Sequence, residues 1–207
     1  EIGTEELPAN FSHSVLNQFK SQIEFEFDKK LIKFEKIFCT STPRRIVLLL
    51  EGLVDQGVDE MIIRKGPKAS SAFINGIPTR AAVGFANSLG IDVDDLEIEN
   101  TEKGGFVFGK KVRKGESTRV LLSLIIPKVI KSLQGQRFMK WGNGNFKFSR
   151  PIRWLVSIYN NEILKFSLDG CDPIIEIGNF SKSHRLMDKV VEINSPDNYF
   201  EIMAKNG

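Results

Sequence analysis

Cysteine is nearly absent. Cys39 and Cys171 stand far apart with no CxxC or Cys/His spacing, which argues against a zinc site and a disulfide framework and suits a reducing cytosol. Histidine is as scarce. Neither His13 nor His184 has a serine or cysteine placed by sequence as a nucleophile, so no hydrolytic triad takes shape. Long apolar runs are missing too: residues 46–50 and 120–126 fall well short of the roughly 20 a membrane span needs. There is no signal peptide, internal repeat, low-complexity tract or clear linker. The chain opens at Glu1 in a strand-like segment, which reads as a portion of a longer protein.

Acidic residues are missing from one region in particular. Between residues 105 and 153 there are twelve cations (Lys110, Lys111, Arg113, Lys114, Arg119, Lys128, Lys131, Arg137, Lys140, Lys147, Arg150 and Arg153) and a single acid, Glu116. The remainder holds seventeen basic and twenty-five acidic residues, so a bland net charge of +3 hides a strong polarity along the chain. Such asymmetry points to a polyanionic partner; the alternative is a solvated surface whose acids arrive from other segments on folding.

What is present describes a folded protein. With 41% hydrophobic and 27% charged residues, the 207-residue chain lies far from the disordered corner of composition and is large enough to bury roughly 70% of its unfolded surface. Phe11, Val15, Phe19 and Ile23 recur every four residues after Pro8, predicting an amphipathic helix to about Lys30 with Pro8 at its first position. Residues 34–40 and 45–54 read as neighbouring strands around a turn at Ser41-Thr42-Pro43, and residues 61–64 as a strand ended by Gly66-Pro67. Thr79 and Gly90 bracket a helix as N-cap and C-cap. Residues 96–100 and 104–113 form a hairpin about Lys103-Gly104. Ser117 starts a helix to about Leu133 whose apolar face is Val120, Leu121, Leu124, Ile125, Val129 and Ile130, with Pro127 a kink point. A hairpin around Asn160-Asn161, a strand over 190–193 and a helix beginning near Ser195-Pro196 complete the chain. Hairpins outnumber β-α-β units, so the class is α+β, with a mixed, mostly antiparallel sheet and packed amphipathic helices, divided near residue 60 or 115 if at all.

Two motifs bear on chemistry. Residues 104–111 read GGFVFGKK, close to a phosphate-binding loop, but Lys111 replaces the magnesium-ligating Ser/Thr and the segment alternates like a strand, so a nucleotide site is rejected. Glu5 and Glu6 are adjacent and would face opposite ways in a strand, which disfavours an acid–base pair and suits tethering a nearby helix. Residues 137–154 interleave cations with Phe138, Trp141, Phe146 and Trp154. Here the aromatics read as core, while the cations are free to meet phosphates.

Several segments in order resemble the β subunit of the two-subunit bacterial glycyl-tRNA synthetase: Glu1 to Pro8 (EIGTEELP), Thr42-Pro43-Arg44-Arg45, Arg64-Lys65-Gly66-Pro67, Lys114-Gly115-Glu116-Ser117, Met139-Lys140-Trp141-Gly142, Arg150-Pro151 and His184-Arg185. Lys140 stands where that family usually has arginine, and Ser183 where it has glycine. The resemblance implies a part of an α2β2 glycine–tRNA ligase in the cytoplasm. The α subunit would use ATP with magnesium, and this region would carry no catalytic residue, metal or cofactor, but would contact tRNA(Gly), the α subunit, or both. Arg44, Arg45, Arg64, Lys65, Lys140, Arg150, Arg153 and Arg185 are the expected contacts, arginine being favoured for its bidentate grip on phosphate or carboxylate. A purely structural assembly role is the alternative, and an independent hydrolase the least supported.

Overall fold

A computed structural model describes residues 1–101, 104–187 and 189–206. The chain separates into two compact units, Glu1–Gly57 with Glu116–Gly207, and Val58–Gly115.

The larger unit begins with β1 (Ile2–Thr4), α1 (Ala9–Lys30), β2 (Lys36–Thr42) and β3 (Arg45–Glu51). Phe11, Val15, Phe19, Ile23 and Phe27 are all buried, the stripe that their spacing predicts. Pro8 stands one residue earlier than expected: its extended ψ of 135° makes it the residue before the helix, and Leu31 closes the helix in the left-handed region at φ 54°.

The smaller unit contains β4 (Glu60–Lys68), α2 (Ala69–Ala72), β5 (Phe73–Ile74), β6 (Ile77–Pro78), α3 (Arg80–Leu89), β7 (Leu96–Thr101) and β8 (Gly104–Arg113). Strands β4, β8 and β7 form an antiparallel sheet in that order. Gly66-Pro67 does not end β4. The strand runs through it with a register shift between Lys65 and Lys68, a bulge that accommodates a residue lacking an N–H. Thr79 caps α3 by accepting from the Ala81 N–H, and Gly90 ends it at φ 65°. Part of the expected turn at Lys103-Gly104 lies outside the described residues. Val107, Ala72 and Ala82 are the core of this unit.

The chain then returns to the larger unit through α4 (Thr118–Ser132), β9 (Met139–Lys140), β10 (Lys147–Phe148), β11 (Ile152–Val156), β12 (Ile158–Tyr159), β13 (Glu162–Ile163), β14 (Ile177–Gly178), β15 (Phe180–Lys182), β16 (Val190–Glu192) and α5 (Tyr199–Lys205). Its main sheet has the order β14-β11-β1-β3-β2, antiparallel except for β11 with β14. In register, Ile2 lies between Ile46 and Leu155, and these three join the buried faces of α1 and α4 in one core. On the opposite sheet face Val47, Trp154 and Val156 pack with Val191, Ile193, Tyr199 and Met203. The face of α4 differs from expectation: Val120 and Leu124 are exposed, whereas Leu122 is buried. The α+β class with a mixed, mostly antiparallel sheet holds.

Candidate anion-contact surface

Beyond Thr4 the chain leaves the sheet as Glu5-Glu6-Leu7-Pro8 between two proline turns. Thr4 N donates to Arg44 O at 2.8 Å, Leu7 N to Pro43 O at 2.6 Å, and Glu5 N to Pro151 O at 3.2 Å. Proline fixes the backbone of each turn, so this ladder draws three distant sequence motifs onto one strand end. The result is an open cleft of about 710 Å3 lined by Glu5, Glu6, Leu7, Pro8, Arg44, Arg150 and Arg185.

The cations of the cleft, and Arg153 paired to its Glu5, are bound to different degrees. Arg185 is ion-paired with Glu6, and Arg153 with Glu5 at 3.0 Å. The Arg150 guanidinium donates to Glu6 O and Ser149 O, both at 3.0 Å, and leaves its second terminal nitrogen uncommitted. Arg44 has no side-chain partner among the described residues. Glu5 and Glu6 therefore tether arginines, not the helix expected from sequence. Glu5 reaches Arg153 on the neighbouring strand β11, and Glu6 reaches Arg185 in the 184–187 turn.

Arg45 points to the other sheet face. It donates to Lys182 O at 2.7 Å and approaches Met203 Sδ at 3.6 Å, beside a Glu1 carboxylate that accepts from Trp154 Nε1 at 2.6 Å, Ser181 Oγ at 2.7 Å and the Tyr199 hydroxyl. Burial first, and the Glu1 charge second, push the Tyr199 phenol well above its ordinary range. Gly3 is required at the centre of this group: a Cβ there would overlap the Trp154 ring.

Arg64 and Lys65 belong to the smaller unit. Arg64 is exposed, and Lys65 Nζ lies 3.5 Å above the Phe106 ring. Lys140 Nζ donates to Asn145 Oδ1 at 2.9 Å on β9. Within the larger unit the structure thus gathers Arg44, Arg150 and Arg185, with Arg153 beside Glu5, and sets Arg45 and Lys140 apart from them.

Folding also redistributes the charge of residues 105–153. Lys110 pairs with Glu97 and Glu99, Arg119 with Glu162, Lys128 with Glu26, Lys131 with Asp169 and Arg153 with Glu5. The hydrogen bond that Lys110 donates to Glu97 leads in holding its ammonium above its ordinary pKa. No ion pair among the described residues engages Arg113, Lys114, Arg137, Lys140, Lys147 or Arg150. Phe138 and Phe146 pack against the main core and Trp154 is buried, so those aromatics are structural.

The GGFVFGKK segment lies wholly within β8, and Lys111 Nζ donates to Leu89 O at the end of α3, which leaves no phosphate loop there. Among the described residues no three His, Cys, Asp or Glu side chains could hold a metal ion. No described helix is long and apolar enough to cross a membrane.

The family model described as "Glycyl-tRNA synthetase beta subunit" matches residues 1–207. The chain is 41% identical over 206 residues to the glycine–tRNA ligase beta subunit of Trichodesmium erythraeum, covering 99% of this chain and 29% of that protein. Against the beta subunit of Halothermothrix orenii it is 38% identical over 207 residues, with coverage of 99% and 29%. Against that of Clostridioides difficile it is 37% identical, with coverage of 100% and 30%. The chain therefore spans less than a third of the length of these curated relatives.

Proposed function

The chain belongs to the glycyl-tRNA synthetase β-subunit family, and from that premise we propose that it serves a glycine–tRNA ligase as a non-catalytic portion, contacting tRNA(Gly) and the α subunit in the cytoplasm. ATP and magnesium would be used at the α subunit. The observation that carries tRNA contact is the cleft, where Arg44 and part of Arg150 present guanidinium donors with no acceptor among the described residues. Such donors suit a phosphate, which arginine can grip bidentately. The test is tRNA(Gly) affinity of the assembled ligase across a salt titration. Arg44→Glu should weaken binding and lower the log–log salt slope by about one unit or slightly less. Binding that ignores salt would remove the reading.

A second reading, assembly without tRNA contact, draws on the smaller unit. Met61, Ile63 and Val112 are exposed on the sheet face opposite the α2–α3 layer, and an open apolar face suits a protein partner. Under that reading Met61→Asp with Val112→Asp would abolish co-purification with the α subunit while leaving tRNA affinity of the remaining β subunit unchanged.

A further inference from the structure

The β9–β10 hairpin carries cations without acid partners among the described residues, Lys140 donating only to the Asn145 side-chain oxygen. Lys140 and Lys147 are direct partners across its two strands, while Met139 pairs with Phe148 on the other side. Phe148 is fully buried in the main core, whereas Met139 and both lysines are exposed. Like charges directly opposite on a strand pair are unfavourable, and here neither lysine has an acid within ion-pair distance among the described residues. Arg137 adds a third exposed cation just before β9. Asp172 meets the hairpin loop through its backbone: its carbonyl accepts from Asn143 N at 3.1 Å.

The hairpin is also held in place more firmly than its two-residue strands require. Phe146 N donates to Gly170 O at 2.8 Å, and Trp141 Nε1 to Phe148 O at 3.0 Å. Gly142, at φ 70°, and Gly144 press against the Gly170 and Asp172 backbone so closely that a Cβ on either would overlap a carbonyl oxygen. A rigid loop that presents a repulsive lysine pair has its ordering cost met before any ligand arrives. A pair of exposed cations with no ion-pair partner among the described residues favours a phosphate backbone as its ligand.

Resting on tRNA contact as the role of this region, we infer that Lys140 and Lys147, with Arg137 beside them, form a preorganised clamp for RNA backbone phosphates, separate from the arginine cleft. Lys147 becomes a contact residue that sequence position alone did not single out. Contacts of this kind are indifferent to base identity, so non-cognate tRNA is held by them as well.

The test uses the ligase assembled from full-length subunits, with Lys140→Gln/Lys147→Gln compared with wild type by tRNA(Gly) binding from low to high salt. Two lost phosphate contacts should lower the log–log slope by about 1.4 to 1.8 and weaken binding roughly ten- to fortyfold near 0.1 M salt. Lys140→Arg/Lys147→Arg should retain the slope. The glutamine variant should melt at the same temperature or higher, since a repulsive pair is removed; a lower melting temperature would mark a structural role and overturn the inference. A steep wild-type slope left unchanged in the variant overturns the clamp alone. A wild-type enzyme whose binding is insensitive to salt overturns tRNA contact by this region altogether. Loss of the α subunit from the variant would assign the pair to an acidic protein surface and overturn it as well.

Discussion

At the scale of single residues, the fold depends on a few polar side chains whose partners are far away in sequence. Glu1 is the plainest case: one carboxylate accepts from Trp154, Ser181 and Tyr199 and so joins β1, β11, β15 and α5. Glu1→Ala would leave three donors without an acceptor in a mostly buried setting, and the expected loss is about 3 kcal/mol in urea unfolding. Glu1→Gln keeps an acceptor for the indole and should lose about 1 kcal/mol, so the two variants together separate the hydrogen bonds from side-chain packing. None of this is visible in sequence. The glutamate of EIGTEELP reads as one polar position in a strand, and its partners are known only once the sheet order brings residue 154 beside residue 3. The arginine cleft is illegible for the same reason: two of its turns are joined by the ladder beyond β1 and the third, at Arg185, is tied by Glu6.

Individual elements were more legible where the signal was local. The four-residue recurrence of α1 and the Thr79 and Gly90 caps of α3 are short-range physics, and both helices follow them. The face of α4 was not, because Val120, Leu122 and Leu124 are equally apolar and only the position of α1 selects among them. The three-residue strand β15 is too short to carry a period of its own and exists because it pairs with β16, the strand expected over 190–193; together they cover Trp154 and Val156. The same helix α4 supplies a prediction. It is continuous from Thr118 to Ser132 across Pro127, which can donate no hydrogen bond to the preceding turn. Pro127→Ala should therefore raise stability by about 1 to 3 kcal/mol, read as a shift of the urea midpoint at constant slope. A destabilised variant would mean that the ring itself fills the core.

For the molecule as a whole, the central fact is that residues 58–115 interrupt another unit. The interruption is closed at its stem: Gly57 N donates to Glu116 O at 3.0 Å and Thr118 N to Asp55 O at 2.9 Å, so the two ends of the larger unit already meet. Replacing 58–115 with a short Gly/Ser linker should leave the remainder folded, with a single cooperative unfolding transition and the amide exchange protection of β1 and β11 intact. The order of the main sheet has a further consequence on the ribosome. Strand β1 lies between β3 and β11, yet the Leu155 that pairs with Ile2 is made roughly 150 residues later. At about 5 to 20 residues per second, that strand waits roughly 8 to 30 s with one hydrogen-bonding edge open, while the smaller unit has already emerged complete. Nascent chains stalled in that interval should be the ones that chaperones hold, and the brevity of β1, three residues with a glycine at its centre, limits how long a template for misassembly it offers.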